Sequence, residues 1–274
     1  MPEGDTIFRA ARTLHRALAG RTVTHFESTV PRLSRVHVDT PVTGRTVEAV
    51  RAAGKHLLMA LSGNLVLRTH MRMNGSWHIY RPGERWQRPR HDMRIVLATV
   101  EYVAVGFNIP VAEWLKTSAI DRHDELRRLG PDLLAEEFDA ETALARLRSR
   151  ADVQVADVLL NQRVMAGIGN VYKSEVLFAC RVNPLTPAGD LDDEQARCLV
   201  TTARKFLRAN VTGGLAAVTT YAGYRRTLRR DHPGERLWVY GRAGKPCRRC
   251  ATPVKMAKQG RDARLTYWCP ACQS

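Results

Sequence analysis

The sequence predicts an α+β protein in three parts: a β-rich N-terminal half, a helical middle and a short cysteine-rich end. Three observations carry this prediction. Apolar residues recur at helical spacing over 3–19 and in several segments between 141 and 209. Short runs of Val, Ile, Leu and Thr, separated by turn formers, fill 21–117. Four of the six cysteines follow residue 246.

The first predicted element is a helix over 3–19, which ends before Gly20. Its apolar face carries Ile7, Ala11, Leu14 and Leu18. Predicted strands follow at 46–50, 56–61, 65–69, 77–80, 93–99 and 102–107. Turn formers such as Gly63-Asn64 and Pro82-Gly83 separate them, so this half of the chain predicts a β-sandwich or a barrel.

The composition changes near residues 129–132, and helical patterns follow. The predicted helices of this part are 141–148, 153–160, 171–180 and 192–209. The predicted division is an N-terminal domain over 1–125, a linker over 126–150, a helical domain over 151–235 and a cysteine-rich module over 236–274.

The chain is strongly basic. It has 43 Lys and Arg against 27 Asp and Glu, a formal charge of +16 and a pI of about 10.2. Residues 221–274 hold 13 basic and 3 acidic residues, and this segment includes the run 225–230. Such clustering favours a polyanionic partner, nucleic acid before others, over a merely soluble basic protein.

Two patterns bear on the location of the protein. The chain has no run of about 18 apolar residues, which excludes a transmembrane helix. Its start has no basic stretch followed by an apolar block, so we expect no signal peptide. The sequence therefore predicts a cytoplasmic protein, associated with the nucleoid, that does not bind membranes.

The late cysteines form two C-x-x-C pairs with eighteen residues between them. This spacing predicts one four-cysteine zinc site, since each turn offers two thiolates and the intervening segment can form a hairpin. The predicted ligands are Cys247, Cys250, Cys269 and Cys272. Four cysteines leave no position for a reactive water, so the Zn²⁺ ion is expected to be structural. Two disulfides are the alternative, and Cys180 and Cys198 are predicted to be buried thiols.

The segment 161–175 reads as two helices joined by a turn with Gly167 and Gly169. Such a turn can present backbone N–H groups and a helix N-terminus to a phosphate. Asn170 could cap the second helix or bind a phosphate oxygen. A plain helical hairpin is the alternative. No strand precedes the glycines, so the pattern does not predict a dinucleotide fold.

The chain starts with Met1-Pro2-Glu3. Removal of Met1 would expose a secondary α-amine on Pro2, which can attack an activated C1′ of a sugar. An α-amine ordinarily has a pKa of about 7.7–8.0, so a useful fraction is unprotonated near neutral pH. Glu3 stands next to it as a general acid/base. The alternative is an ordinary first helical turn, where Pro and Glu are both favoured.

Taken together, these segments resemble the formamidopyrimidine-DNA glycosylase/endonuclease VIII family over nearly the whole chain. The motifs that carry the resemblance are 1–5, Gly54-Lys55-His56-Leu57, 162–175, 239–244 and the cysteine module. The resemblance implies an N-terminal β-sandwich, a helix–two-turn–helix domain and a C-terminal zinc finger. It also implies a monomeric DNA glycosylase and AP lyase of base excision repair.

The family's catalytic roles fall on three residues. The resemblance implies that Pro2 is the nucleophile that attacks C1′ after Met1 is removed. It implies that Glu3 protonates the sugar ring oxygen, and that Lys55 contacts the phosphate near the lesion. A surface turn lysine is the alternative for Lys55.

The DNA-binding residues that the resemblance implies are Asn170, Arg264, Arg72, Met73 and Asn74. Asn170 and Arg264 match residues that bind a backbone phosphate, with Arg261 less favoured for the second role. Met73 matches the side chain that fills the gap left by an extruded base, flanked by Arg72 and Asn74. A core position for Met71 or Met73 at the end of a strand is the alternative.

Two departures place the chain nearer to endonuclease VIII. Residues 105–108 lack the arginine that faces the orphaned cytosine in the formamidopyrimidine branch, and Thr6 stands where many relatives have Glu. The expected activity is excision of oxidised pyrimidines from damaged duplex DNA, with single-stranded DNA as a second form, through a Schiff base and β,δ-elimination. The alternatives are an 8-oxoguanine-type glycosylase and a catalytically inactive damaged-DNA-binding zinc protein.

Overall fold

The computed structural model describes residues 2–211 and 237–273. The α-helices of this part are α1 (Gly4–Leu18), α2 (Pro31–Asp39), α3 (Asp124–Arg127), α4 (Ala140–Arg148), α5 (Val155–Leu160), α6 (Asn170–Ala179) and α7 (Asp193–Ala209). The strands are β1 (His25–Ser28), β2 (Val47–Ala53), β3 (His56–Leu61), β4 (Leu65–His70), β5 (Ser76–Tyr80), β6 (Met93–Ala98), β7 (Val103–Phe107), β8 (Val111–Lys116), β9 (Lys255–Gln259) and β10 (Arg264–Trp268).

Two four-stranded antiparallel sheets form the N-terminal half. Their strand orders are β1-β6-β7-β5 and β2-β3-β4-β8. Alternate residues of each strand point to one face, so Leu57 and Leu67 of one sheet join Ile95 and Leu97 of the other in a single apolar core. The predicted β-sandwich is confirmed.

Helix α1 packs against β2 through the apolar face read from the sequence. Ile7, Ala11, Leu14 and Leu18 are all buried in the sandwich core. The helix ends before Gly20, whose φ of +78° suits a residue without a side chain. Sequence patterns missed α2, β1 and β8, because short elements give little periodicity. In α2, for example, only Leu33 is buried.

The chain divides into two compact units, and the division follows residue 128. In the second unit, α4, α5, α6 and α7 enclose their own apolar core. Asp192 begins α7 with a reciprocal cap, since its carboxylate accepts from Gln195 N and the Gln195 side chain accepts from Asp192 N. Helix α4, close to the helix predicted at 141–148, buries Leu144 and Leu147 in this core. The predicted domain limits, including the linker 126–150, stay predictions.

The expectation for two cysteines is wrong. Cys180 and Cys198 are disulfide-bonded and half-buried, not separate buried thiols. Cys180 caps the C-terminus of α6, and the packing of α6 on α7 brings the two Cα atoms to 5.8 Å. Sequence spacing could not indicate this pair, because the two helices meet only after folding.

The predicted basic run 225–230 lies outside the described residues. Among the helices that the structure describes, none combines the length and the apolar character that crossing a bilayer requires.

Candidate functional site

The N-terminus of α1 carries the first two predicted catalytic residues. Glu3 is the N-cap of α1, in extended backbone conformation, and its carbonyl accepts from Ile7 N at 3.0 Å. Its side chain is 0% exposed and forms no capping bond with the helix. Pro2 precedes it and is half-buried, whereas Met1 lies outside the described residues. A buried carboxyl group therefore stands directly beside Pro2.

A small cavity of about 70 Å³ opens one turn further along α1. Thr6 and Ala10 of the helix face residues 75–79 across it, and Met71 closes one side. Ser76 Oγ, in this lining, is buried without a hydrogen-bond partner among the described residues. Gly75 is required here, because a Cβ atom would lie 2.5 Å from Met71 O.

Lys55 lies in the turn between β2 and β3. Gly54 makes that turn with a φ of +57°, a conformation that side chains disfavour. The Lys55 side chain is half-buried, and its charge contributes to lowering the pKa of His56 and of His70. The structure thus brings Lys55 near two imidazoles that sequence reasoning did not select.

The outer face of the second sheet carries a polar cluster next to this turn, built around the buried side chains of Arg68 and His56. Its members are His56, His70, Arg68, Glu113, His123 and Glu125. Cross-strand pairing explains the arrangement, since Arg68 stands opposite Glu113 and His56 stands opposite His70. Arg68 donates to Glu113 and to Glu125, and His123 Nε2 lies 3.1 Å from Glu113. Arg68 is only 2% exposed, so its charge is neutralised by carboxylates within the protein.

Two imidazoles of this cluster, those of His56 and His70, are held neutral. Burial, followed by the charge of Arg68, lowers the pKa of His56 to about 3. Burial, followed by the charges of Arg72 and Lys55, lowers the pKa of His70 to about 4. His70 Nδ1 accepts from Arg72 N at 3.0 Å, which leaves Nε2 as the protonated ring nitrogen. In the sequence, the alternation of Arg68 and His70 along β4 could have indicated that polar side chains share one face of this strand.

The two methionines in the loop after β4 differ in exposure. Met71 is 2% exposed and belongs to the core, whereas Met73 is 51% exposed. Arg72 and Asn74 on either side are exposed, and Arg72 has a φ of +47°. The alternative interpretation, a core residue at the end of a strand, is therefore correct for Met71 and wrong for Met73.

The predicted pair of helices with a glycine turn is present as α5, residues 161–169 and α6. Gln162 organises the turn, because its amide donates to Leu160 O and Ile168 O and accepts from Gly167 N. Gly169 is the N-cap of α6, so the capping alternative for Asn170 is wrong. Asn170 begins the helix as predicted.

Asn170 is tied to the cysteine module. Its Nδ2 donates to Leu265 O at 2.7 Å, and its Oδ1 is buried without a partner among the described residues. Lys173, one turn later and 0% exposed, donates to Thr266 Oγ1 at 2.7 Å and to Leu265 O at 3.4 Å. These contacts fix the start of α6 against β10, whose first residue is Arg264. The Arg264 side chain is 39% exposed, and its Nη2 lies 3.8 Å from Asp262 Oδ2.

A second buried charge makes a similar connection. Glu175 is 0% exposed, and its carboxylate accepts from the backbone N–H groups of residues 238, 239 and 240 at 2.8–2.9 Å. Sequence reasoning missed Lys173 and Glu175 as tertiary links. The sequence feature that could have indicated these links is the presence of two ionisable residues on a mostly apolar helix.

The four late cysteines come together at one point. Their Sγ atoms all lie within 4.8 Å of one another, with Cys250 at 3.4 Å from Cys269 and Cys247 at 4.0 Å from Cys272. Ligands about 2.3 Å from a tetrahedral Zn²⁺ ion require such separations. The hairpin β9–β10 carries the chain between the two pairs. The cysteines form a site for one structural zinc ion, as predicted.

Comparison with known proteins agrees with this geometry. Residues 1–110 match the model of the formamidopyrimidine-DNA glycosylase N-terminal domain, 129–221 match that of the formamidopyrimidine-DNA glycosylase H2TH domain, and 244–274 match a zinc finger found in FPG and IleRS. A probable endonuclease 8 2 from Streptomyces coelicolor is 45% identical over 100% of this chain and 94% of its own length.

Two further comparisons extend this result. The DNA-(apurinic or apyrimidinic site) lyase Nei2 from Mycolicibacterium smegmatis is 38% identical over 100% of this chain and 99% of its own. The solved structure of Lactococcus lactis Fpg in complex with DNA containing an abasic site is 22% identical, covers all of both chains and superposes with a TM-score of 0.84, which shows a common fold. The chain belongs to the formamidopyrimidine-DNA glycosylase/endonuclease VIII family.

Proposed function

We propose that this protein is a bifunctional DNA glycosylase and AP lyase of base excision repair, and that it removes oxidised pyrimidines. The relatives named endonuclease 8 and AP lyase support the activity, and they match over the full length of the chain. The observation that carries the proposal is the buried carboxyl group of Glu3 beside Pro2, one helical turn before a cavity.

The reaction begins at the N-terminus. After Met1 is removed, the Pro2 nitrogen forms a bond to C1′, and the bond from C1′ to the base breaks with its electron pair leaving on the base. The proton that the Pro2 nitrogen gives up goes to the departing base, which leaves as a neutral molecule. Glu3 donates a proton to the ring oxygen, so the sugar opens and an iminium ion joins Pro2 to C1′. Loss of a C2′ proton then expels the 3′ phosphate by β-elimination, and a second elimination expels the 5′ phosphate.

The remaining site residues bind the DNA backbone. Lys55 contacts a phosphate near the lesion, and the neutral His70 can donate a hydrogen bond from Nε2 in the same region. Asn170 and Arg264 bind phosphate from the helical unit, at a helix N-terminus that favours anions. Because Asn170 Nδ2 donates to Leu265 O without DNA, its amide must exchange this partner or turn over on binding.

The loop 71–75 fills the gap in the base stack when the damaged nucleotide is extruded. Met73 fits this role because it is exposed and flexible, and Arg72 and Asn74 lie beside it. The extruded base enters the cavity lined by Thr6 and Ser76, whose hydroxyl groups offer hydrogen bonds to oxidised ring positions. We further propose that the protein acts as a monomer in the cytoplasm, associated with the nucleoid.

Borohydride trapping tests the chemistry directly. Borohydride reduces the iminium ion to a stable amine, so wild-type protein should become covalently linked to DNA that contains an abasic site or thymine glycol. The variant Pro2→Gly should lose most of the trapped product, and mass spectrometry of the wild-type protein should show that Met1 is absent. Absence of any covalent complex would refute the proposal, and full trapping by Pro2→Gly would move the nucleophile elsewhere.

A panel of lesions tests the substrate class. Excision rates on duplexes that hold 8-oxoguanine opposite cytosine are compared with rates on duplexes that hold oxidised pyrimidines. Faster excision of the pyrimidines is expected, because residues 105–108 lack the arginine that the resemblance associates with orphaned cytosine. Faster excision of 8-oxoguanine would assign the protein to the other branch.

A further inference from the structure

An open groove of about 390 Å³ lies on the β-sandwich, separate in its lining from the cavity beside α1. Arg72, Met73 and Asn74 line one side of it. Arg94 of β6 and the segment 108–110 line the rest. The groove therefore combines two guanidinium groups with an exposed thioether.

Arg94 reaches this groove because of strand alternation. Its neighbours Met93 and Ile95 are buried, so Arg94 points to the opposite face of β6. Backbone carbonyls anchor one end of the guanidinium, since Nη1 donates to His91 O and to Met93 O at 3.0 Å each. In the described part of the chain, the structure gives no partner to Nε or Nη2. Arg94 thus presents a fixed edge with two parallel N–H donors.

The position of the groove matters for the proposed function, on which this inference rests. If Met73 fills the gap left by an extruded nucleotide, the base that has lost its partner lies next to Met73. The groove that begins at Met73 therefore offers such a base a place next to the extruded position. The family's usual arginine is missing from 105–108, and Arg94 approaches from the adjacent strand β6.

We propose that Arg94 recognises the orphaned base opposite the lesion and determines the opposite-base preference. A donor edge with two parallel N–H groups pairs with two adjacent acceptors. Guanine offers O6 and N7, and cytosine offers O2 and N3, whereas adenine and thymine offer no such pair of adjacent acceptors on one edge. The enzyme therefore favours lesions opposite guanine or cytosine over lesions opposite adenine or thymine.

The test uses the full-length protein and one oxidised pyrimidine, 5-hydroxycytosine, opposite each of the four bases. Single-turnover excision is measured for wild type, Arg94→Ala, Arg94→Lys and the control Arg32→Ala, an exposed arginine on α2. Wild type should prefer guanine or cytosine by about tenfold. Arg94→Ala should reduce this ratio to about twofold, and Arg94→Lys should give an intermediate ratio because an ammonium group cannot reproduce the fork.

Two further measurements separate the possible failures. Cleavage of single-stranded abasic DNA has no opposite base, so Arg94→Ala should leave it unchanged. Binding to duplexes with a tetrahydrofuran abasic analogue opposite each base should show the same preference and needs no catalysis. Unchanged ratios in Arg94→Ala, a uniform loss that includes single-stranded DNA, or a wild type without preference in binding would each overturn the proposal. A wild type that binds with the expected preference but forms no trapped complex would refute the proposed chemistry instead.

Discussion

The two compact units bury charge for different purposes. In the N-terminal unit, Arg68 is buried and paired with Glu113 and Glu125, and burial together with nearby positive charges keeps His56 and His70 neutral. In the second unit, the buried Lys173 and Glu175 bind the segments that lead to and form the zinc finger, including four backbone groups. The first arrangement controls protonation near the proposed chemistry. The second fixes the geometry of a helix against a hairpin.

The comparison predicts that only the second unit depends on metal for its order. Cys269→Ser, or removal of zinc by a chelator, should release the hairpin β9–β10 and weaken duplex binding at least 100-fold, because structural zinc contributes about 10–16 kcal/mol in small domains. Metal content and DNA affinity measure the effect. Thr201→Ala, at an exposed position of α7 outside the cluster, is the control and should keep one zinc per chain. Full affinity without zinc would contradict the prediction.

Glu3 is the sharpest test of the N-terminal unit. Glu3→Gln removes the proton donor, so base excision should fall by roughly 10²–10⁴. Trapping on a preformed abasic site should fall much less, because the Pro2 amine remains. Single-turnover excision and trapping are compared, with Glu48→Gln, an exposed residue of β2, as the control. An equal loss in both assays would mean that Glu3 serves mainly to hold the N-terminus in place.

A variant of Lys173 tests whether this buried charge holds α6 against β10 in the arrangement that binds DNA. Lys173→Met keeps the length of the side chain but removes the donor to Thr266 Oγ1 and Leu265 O, so the free energy of unfolding should fall by about 1–3 kcal/mol. The affinity for DNA should fall as well, because Asn170 and Arg264 lose their fixed spacing. Urea unfolding and DNA titration measure these effects, with the exposed Lys205→Met as the control. Unchanged affinity would exclude a link between Lys173 and DNA binding.

The smallest expected effect concerns pH. His56 and His70 have folded pKa values of about 3 and 4, below the ordinary value of 6.5, so the unfolded chain binds more protons between these limits. Their contribution to stability is complete above pH 6.5 and decreases as pH falls towards 4. Urea midpoints at pH 7.5 and 5.5 should therefore differ, and His56→Gln should reduce the difference. The exposed His91→Gln should leave it unchanged. An identical pH response in His56→Gln would show that His56 is not responsible.

Much of the fold could be predicted because its signals are local. The helical apolar face of α1, the alternating strands and the glycine turn before Asn170 depend on neighbours within a few residues. The spacing of the cysteine pairs also determined the zinc site, since metal geometry accepts few arrangements. The prediction of separate thiols at Cys180 and Cys198 was wrong, because their pairing depends on which helices pack together.

The sequence by itself determined the family, the predicted nucleophile and acid, the zinc ligands and the basic character of the chain. Only the tertiary structure decided that Met71 is core while Met73 is exposed, and that Arg94 presents a donor edge to a groove. It also decided which charges are buried together, as with Arg68 and Glu113 across two strands. The physical reason is that burial, pairing across strands and the lowering of a pKa by desolvation depend on residues far apart in the chain, and these meet only in the folded protein.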